Sequence, residues 1–480
     1  MRIPEQGLSR EEVLQRLEEY RAHDAETRQG RAWGLVYDAG VRQVEDLAKQ
    51  AYTDFLAINA LDPTAFPSVL RIENDLVAMA AAHLQSGPEV VGNFTSGGTE
   101  SCMLAVKTAR DWARANRPEV AHPEVILGTT AHPAFHKGCH YLDVRPVLVD
   151  VDPVTFKVDP EAVAQAVSPN TIMIVGSAVS YAHGVVDPIR ELSEIARRHG
   201  LLLHVDGCIG GFLLPYLRRL GASVPDFDFS VPGVTSMSMD WHKYGYAPKG
   251  ASVVLYRDKA LRKFQFYACA SWPGYPIINP TIQSSRSGGP LAAAWAVVNF
   301  LGDAGYIELA RRTLEATRKL VAGIGSIPSL RVLGVPESSL IAIASDDVNV
   351  FYVADAMRRR RWLISAQPQF GPSPASLHLI VTASSLGQVD GFLKDLAGSV
   401  EEARGSGSRL DPALREILAN LDPAALTDEI LDAMLGAAGV EWGSISESMA
   451  EVNTIMDSLP PAVREALLIA GGNTLFTPSP

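Results

Sequence analysis

The chain has 480 residues, 47% hydrophobic and 20% charged, with a formal net charge of −12. This is ample apolar material for a large core in a water-soluble globular protein, and the negative balance gives nucleic acid or an anionic membrane no general attraction. The cysteines at 102, 139, 208 and 269 form no C-x-x-C pair, which argues against a zinc ribbon or a disulfide framework and for a reducing compartment.

The N-terminus, MRIPEQGLSREEVLQRLEEYRAHD, has neither the apolar stretch of a signal peptide nor a membrane span. The expectation is a cytoplasmic protein without an integral membrane segment. Residues 8–24 read as an amphipathic helix with Val13, Leu17 and Tyr20 on one face. Glu73 to Gln85 reads as a second helix.

Between about 90 and 257, short apolar runs alternate with helical patterns. EVILGTT, RPVLVDVD, TIMIVGSAVS, LLLHVDG and ASVVLYRD are strand-like, and a small-residue strand precedes Trp241. TESCMLAVKTARDWARA and DPIRELSEIARRHG are helical, the latter with Asp187 as expected N-cap, Pro188 at N1 and Gly200 at the C-terminus. The alternation predicts an α/β fold with a mostly parallel, helix-covered sheet. Ligands in such sheets sit beyond the carboxyl ends of the strands. A helix near 290–320 leads into a second α+β stretch containing LRVLGV, SLIAIAS, VNVFYVADAMRRRRW and SLHLIVT, and GSGS at 405–408 marks a loop. The expected units are an N-terminal segment 1–70, a large domain 71–320, a small domain 321–400 and a helical extension 401–480.

Candidate chemistry gathers at the strand ends. GNFTSGGTES runs into a helix start, where Gly97 and Gly98 let a ligand approach free N–H groups suited to phosphate. Asp206 ends the apolar strand of HVDGCIGG, and His132 follows another strand. Lys243, in DWHKYGYAPKG, follows the small-residue strand, although burying an unpaired ammonium is costly. His132, His136 and His140 fall at four-residue spacing, which raises a metal reading. Pro133 and the missing glutamate of H-E-x-x-H oppose it, so no metal is expected. A phosphate cradle, an imidazole, a carboxylate and a lysine together are the inventory that holds pyridoxal 5′-phosphate. The lysine forms a Schiff base, and the carboxylate keeps the ring nitrogen protonated.

The ordered motifs TSGGTES, HVDGCIGGF and D-x-HKYGYAPKG, with NALDPTAFPSVLRIEN, GSAVSYAHGVVDPI and PTIQSSRSGG, resemble the sphingosine-1-phosphate lyase group of the pyridoxal-phosphate-dependent decarboxylases, of fold type I. The resemblance implies a large cofactor-binding domain with a small C-terminal α+β domain. By position it makes Lys243 the Schiff-base lysine, Asp206 the ring-nitrogen partner and His132 the imidazole stacked on the ring. Gly98, Thr99 and His242 would hold the cofactor phosphate, and Tyr181 would handle protons near the reacting carbons. Tyr37, Asn59 and Lys249 match positions near the substrate, some reaching across a dimer interface. Two departures stand out: VYDAG replaces the group's VYHG, and Asp62 replaces a histidine that helps bind the substrate phosphate. A carboxylate there repels a phosphate dianion, unless Lys249 turns it away in a salt bridge.

The implied activity is carbon–carbon cleavage of a small-molecule β-hydroxy amine by a homodimer with shared active sites. The alternative is an amino-acid decarboxylase, with Arg286 or Lys249 clamping the α-carboxylate. A metal hydrolase on the histidine triplet and a catalytically silent scaffold are the readings from other classes.

Overall fold

The computed structural model describes residues 3–22, 24–404 and 449–478. The expected loop at 405–408 and most of the expected helical extension lie outside them. Seven strands form the main sheet: β1 (Val91–Thr95), β2 (Glu124–Gly128), β3 (Arg145–Val149), β4 (Thr171–Ser177), β5 (Leu202–Asp206), β6 (Ser236–Asp240) and β7 (Ser252–Tyr256). Their order is β1-β7-β6-β5-β4-β2-β3. β7 runs antiparallel to both neighbours, and the other pairings are parallel. The ends of β1, β2, β4, β5 and β6 therefore open on one edge.

Both faces of the sheet are covered, and the alternation of side chains shows it. On β2, Ile126 enters one core while Val125 and Leu127 enter another; on β7, Val253 and Leu255 oppose Val254 and Tyr256 in the same way. The first core also takes Leu76 and Leu192, from helices Pro67–His83 and Ile189–His199. The second takes Leu104 and Phe135, from helices Gly98–Asn116 and Pro133–Leu142. Every β7 residue is buried, and after Ser252 the run is apolar rather than alternating.

A short antiparallel hairpin follows, β8 (Tyr267–Cys269) and β9 (Ile277–Asn279). The long helix Gly288–Ile324 then leads to a second sheet of β10 (Arg331–Val332), β11 (Leu340–Ala344), β12 (Ser365–Gln367) and β13 (Ser376–Ile380), in the order β10-β11-β13-β12. Ile341, Ile343, Leu377 and Leu379 pack there with helices Val350–Arg359 and Val389–Arg404. Trp33 belongs to this second core: it stacks on Phe392 with ring centroids 4.0 Å apart, and its backbone N–H donates to the Leu363 carbonyl at 2.8 Å.

Two local expectations change. Asp187 does not cap its helix, whose N-cap is Pro188. Its carboxylate instead accepts from the N–H groups of Val158 at 3.0 Å and Ser177 at 2.7 Å, tying the end of β4 to the preceding loop. Gly200 does close the helix in the left-handed conformation, φ 64°, as glycine at that position should. The first helix, Arg10–Arg21, carries a complete capping box from Ser9 and Glu12 but buries none of its residues.

Candidate active site

β6 ends at Asp240 and the chain turns through Trp241, His242 and Lys243. Asp240 is 1% exposed, and its Oδ2 lies 2.9 Å from Lys243 Nζ and 3.5 Å from His242 Nε2. Its other oxygen, Oδ1, is buried without a hydrogen-bond partner among the described residues. Burial opposes the charge on Asp240, but Lys243 and His242 outweigh it and lower its pKa. Burial likewise pulls the lysine down, while Asp240, with Tyr37 and Cys208, raises it well above the ordinary lysine value. Lys243 is thus not a stranded charge. Its partner three residues upstream is visible in the sequence only as the aspartate of D-x-H-K.

Asp206 closes β5 and is 6% exposed. Its Oδ1 accepts from the Cys208 N–H at 3.0 Å and from Ser238 Oγ at 3.3 Å; Oδ2 has no such partner among the described residues. His132 caps helix Pro133–Leu142: its Nδ1 accepts the Ala134 N–H at 3.2 Å, which leaves the ring proton on Nε2. Burial lowers its pKa, so the ring is neutral at pH 7. It meets the Tyr181 ring edge-on at 6.2 Å.

The helix from Gly98 begins with no side-chain cap, leaving its first N–H groups free. Glycine is required at 98 because a Cβ there would stand 2.8 Å from Cys208 Sγ and 2.9 Å from Asp240 Oδ2. Glu100 fastens the turn, accepting from the N–H groups of Ser96 at 2.6 Å and Ile282 at 2.8 Å. Thr99 is exposed at the mouth.

Tyr37 joins the same chain's cluster, its ring edge-on to Tyr244 at 5.1 Å with Lys249 Nζ 5.2 Å over it. Burial raises its pKa and Lys243 opposes the rise; the same two influences act on Tyr181. Burial and the nearby Lys243 lower the Lys249 pKa. One chain therefore brings together Tyr37, His132, Tyr181, Asp206, His242, Lys243 and Lys249 around Asp240. Tyr37 and Lys243 lie close enough within one chain to influence each other's ionisation.

Two expected residues stay apart. Asn59 Oδ1 accepts its own chain's Leu61 N–H at 3.0 Å, and its backbone pairs with Ser287. Asp62 is exposed and makes no salt bridge with Lys249; its Oδ1 accepts from the Thr64 N–H at 2.8 Å and Oγ1 at 2.6 Å, which lowers its pKa. Arg286 is not a free clamp either. It is 7% exposed and bonded to Glu73 Oε2 at 2.8 Å and to the Phe94 carbonyl at 2.9 Å. Among the described residues, the one group of metal-ligating atoms within reach of each other is Cys102, Asp206 and Cys208, and the histidine triplet forms no such group. His132 stands outside the helix that carries the other two, with Pro133 at its first position.

These residues fit pyridoxal 5′-phosphate: uncapped N–H groups on a glycine-fixed helix start, an available carboxylate oxygen on Asp206, a neutral imidazole and a primary amine converge on one edge. The sequence profile described as "Pyridoxal-dependent decarboxylase conserved domain" matches residues 31–342. A second, "Pyridoxal-dependent enzyme, C-terminal putative HTH domain", matches 412–470. The chain is 42% identical to a sphingosine-1-phosphate lyase of Oryza sativa, across 84% of this chain and 74% of that one. Against the lyase of Dictyostelium discoideum it is 38% identical, covering 85% and 76%. The solved structure of a sphingosine-1-phosphate lyase from Burkholderia pseudomallei superposes with a TM-score of 0.80 at 38% identity, covering 85% of this chain and 94% of that one. With its motifs, fold and site in agreement, the chain belongs to the pyridoxal-dependent decarboxylase family, in the branch that resembles sphingosine-1-phosphate lyase, and is a lyase that uses pyridoxal 5′-phosphate.

Proposed function

We propose that the chain cleaves the Cα–Cβ bond of a β-hydroxy amine, releasing an aldehyde and an amine. The observation that carries this reading is the convergence of two phenols, Tyr37 and Tyr181, on Lys243. Cleavage removes the β-hydroxyl proton, so a proton-holding group has to stand beside the amine-binding lysine. Decarboxylation instead asks for a cation on the α-carboxylate; Glu73 already occupies Arg286, which leaves Lys249 as the cation for that alternative.

The cofactor supplies an electrophilic carbon for the amine and a conjugated ring that takes up the electron pair of the broken bond. The chain does the rest. Lys243 anchors the cofactor, and Gly98, Thr99 and His242 hold its phosphate. Asp206 keeps the ring nitrogen protonated, as an anion stabilises a neighbouring cation in a dry site. His132, a neutral imidazole, would supply an apolar face for the bound ring. Tyr181 holds the β-hydroxyl as a hydrogen-bond partner; burial raises its phenol pKa and the Lys243 charge opposes that rise. The β-carbon leaves as the aldehyde, and the α-carbon takes up a proton before the amine departs. Tyr37 and Lys249 form the wall toward the distal end of the substrate.

We place the protein in the cytoplasm as a homodimer. The uncovered apolar side chains of helix Arg10–Arg21, such as Leu17 at 51% and Tyr20 at 71% exposure, support the dimer. Asn59 and Asp62, which stand apart from their own chain's lysine, are the residues left to serve a partner's site. An ionised Asp62 there disfavours a phosphate dianion, so the preferred substrate has a neutral or cationic distal group. No nucleic-acid partner is proposed for the C-terminal stretch: its basic residues within 412–470 are Arg415 and Arg464, amid many carboxylates, whereas DNA binding rests on neutralising phosphates. The deciding experiment is product analysis with paired phosphorylated and unphosphorylated amino alcohols beside amino acids. Aldehyde from the amino alcohols supports the reading; carbon dioxide from an amino acid, without aldehyde, overturns it.

A further inference from the structure

The aspartate three residues before Lys243 has no role in the scheme above, yet it makes the shortest polar contact the lysine has. Asp240 is fixed at the end of β6 with 1% of its side chain exposed, and Lys243 keeps 18%. The turn Asp240–Lys243 is rigidly held: the His242 N–H donates to the Ala251 carbonyl at 3.1 Å, and the Ala247 N–H to the Trp241 carbonyl at 3.1 Å. Gly98 closes over both carboxylate oxygens, so Asp240 has no room to swing toward water. A carboxylate this enclosed keeps its charge only beside a cation. The charged and titratable groups facing Lys243 are Asp240, Tyr37, Cys208, His132, Tyr181, Lys249 and His242, with the Asp206 carboxylate in the same cluster. Burial raises the pKa of both tyrosines, and the Cys102 contact followed by burial raises that of the Cys208 thiol, so these groups stay neutral. His132 and His242 are lowered and neutral, and Lys249 is a like charge. Asp240 is the counter-ion nearest to the lysine.

We propose that Asp240 is a positioning residue that holds Lys243 as an ammonium, drawn back toward the end of β6, whenever a substrate amine has taken its place on the cofactor. An ammonium has no lone pair, so the parked lysine cannot compete for the cofactor carbon until it gives up a proton. The contact also accounts for the aspartate of D-x-H-K, which phosphate binding leaves unexplained because a carboxylate repels a phosphate. The inference rests on Lys243 being the cofactor lysine.

The test uses the enzyme loaded with the borohydride-reduced propylamine adduct of the cofactor, a secondary amine without a β-hydroxyl, and freed of excess amine, so that Lys243 is unoccupied and no added amine consumes the reagent. Amine labelling by acetic anhydride is followed by peptide mass spectrometry from pH 7 to 11. In the wild type the labelling midpoint of Lys243 should lie above the ordinary lysine value of about 10.4. In Asp240→Asn it should fall by one unit or more, giving about tenfold more labelling at pH 8, and Asp240→Glu should restore it in part. A wild-type midpoint at or below the ordinary value, or one unchanged by Asp240→Asn, overturns the proposal. If the asparagine variant fails to fold, the wild-type midpoint alone decides. Borohydride fixation of the cofactor onto a different lysine would fault the assignment of Lys243 instead, so the two failures are distinct.

Discussion

Asp206→Asn separates chemistry from structure at this site. In the wild type Oδ1 already accepts two hydrogen bonds, from the Cys208 N–H and Ser238 Oγ. An asparagine oxygen can keep both, so the loop after β5 should stay in place and the midpoint of thermal unfolding should move little. The change falls on the second atom. Oδ2, which has no protein partner among the described residues, becomes an N–H₂ donor that cannot accept the proton of the cofactor's ring nitrogen. Both the ion pair and its hydrogen bond are lost in a site where Asp206 is 6% exposed. Loss of one preorganised electrostatic partner costs about 2.7–4 kcal/mol, or about 10²–10³ in kcat. The assay is steady-state aldehyde release, with bound cofactor counted by absorbance and folding followed by circular dichroism. Turnover within a few-fold of wild type at full cofactor occupancy would refute the role given to Asp206.

Other outcomes are accessible to simple measurements. Glu73→Gln strands Arg286, which is 7% exposed; breaking such a pair costs about 3–5 kcal/mol, so the urea midpoint should drop sharply, and an unchanged midpoint contradicts the structural reading of Arg286. Asp62→His should shift kcat/KM toward phosphorylated amino alcohols by about tenfold or more, the scale of one pKa unit of charge interaction; no shift would make Asp62 structural. Stability should fall as pH drops from about 6.5 toward 4. Burial depresses His183, His204 and His378 to about 4, so the unfolded chain takes up protons that the native one refuses. Asp187, raised to about 6 by burial, works in the opposite direction over the same range, but it offsets only one of three groups. An equal or higher urea midpoint at pH 5 than at pH 7.5 would count against this. Deleting residues 1–24 should weaken the dimer without unfolding the chain, since helix Arg10–Arg21 buries nothing; sedimentation velocity reads it, and an unchanged dimer assigns the interface elsewhere.

Much of the sheet was legible because buried parallel strands are continuous apolar runs. EVILG and LLHVD needed only their length and flanking glycines to be read. β1 was not legible: Val91–Thr95 is Val-Gly-Asn-Phe-Thr, whose glycine and asparagine lower its strand signal, and it forms because β7 offers it a complete antiparallel ladder. The β8–β9 hairpin and β12 are three-residue strands, too short to show a period. Asp187 was misplaced because a local capping rule competed with two buried backbone N–H groups elsewhere in the fold, and satisfying buried groups outweighs an exposed cap.

At the site, Lys243, Asp206 and His132 were readable because each ends or follows a strand that opens on the same edge. Asp240 was hidden in plain view, since an aspartate at a strand end looks like a loop charge until the lysine is seen 2.9 Å away. Arg286 failed as a clamp because nothing in the sequence announces that Glu73, more than two hundred positions away, neutralises it. Cys102 and Cys208 are far apart in the chain, yet both sulfurs lie near Asp206, because the start of helix Gly98–Asn116 meets the end of β5.

The central claim is that Lys243 carries the cofactor, and borohydride reduction of the holoenzyme followed by peptide mapping tests it most directly. The account predicts a single reduced pyridoxyl adduct on the peptide containing Lys243, with none on its neighbour Lys249. An adduct on Lys249 or any other lysine, or a cofactor that washes away after reduction, would contradict it.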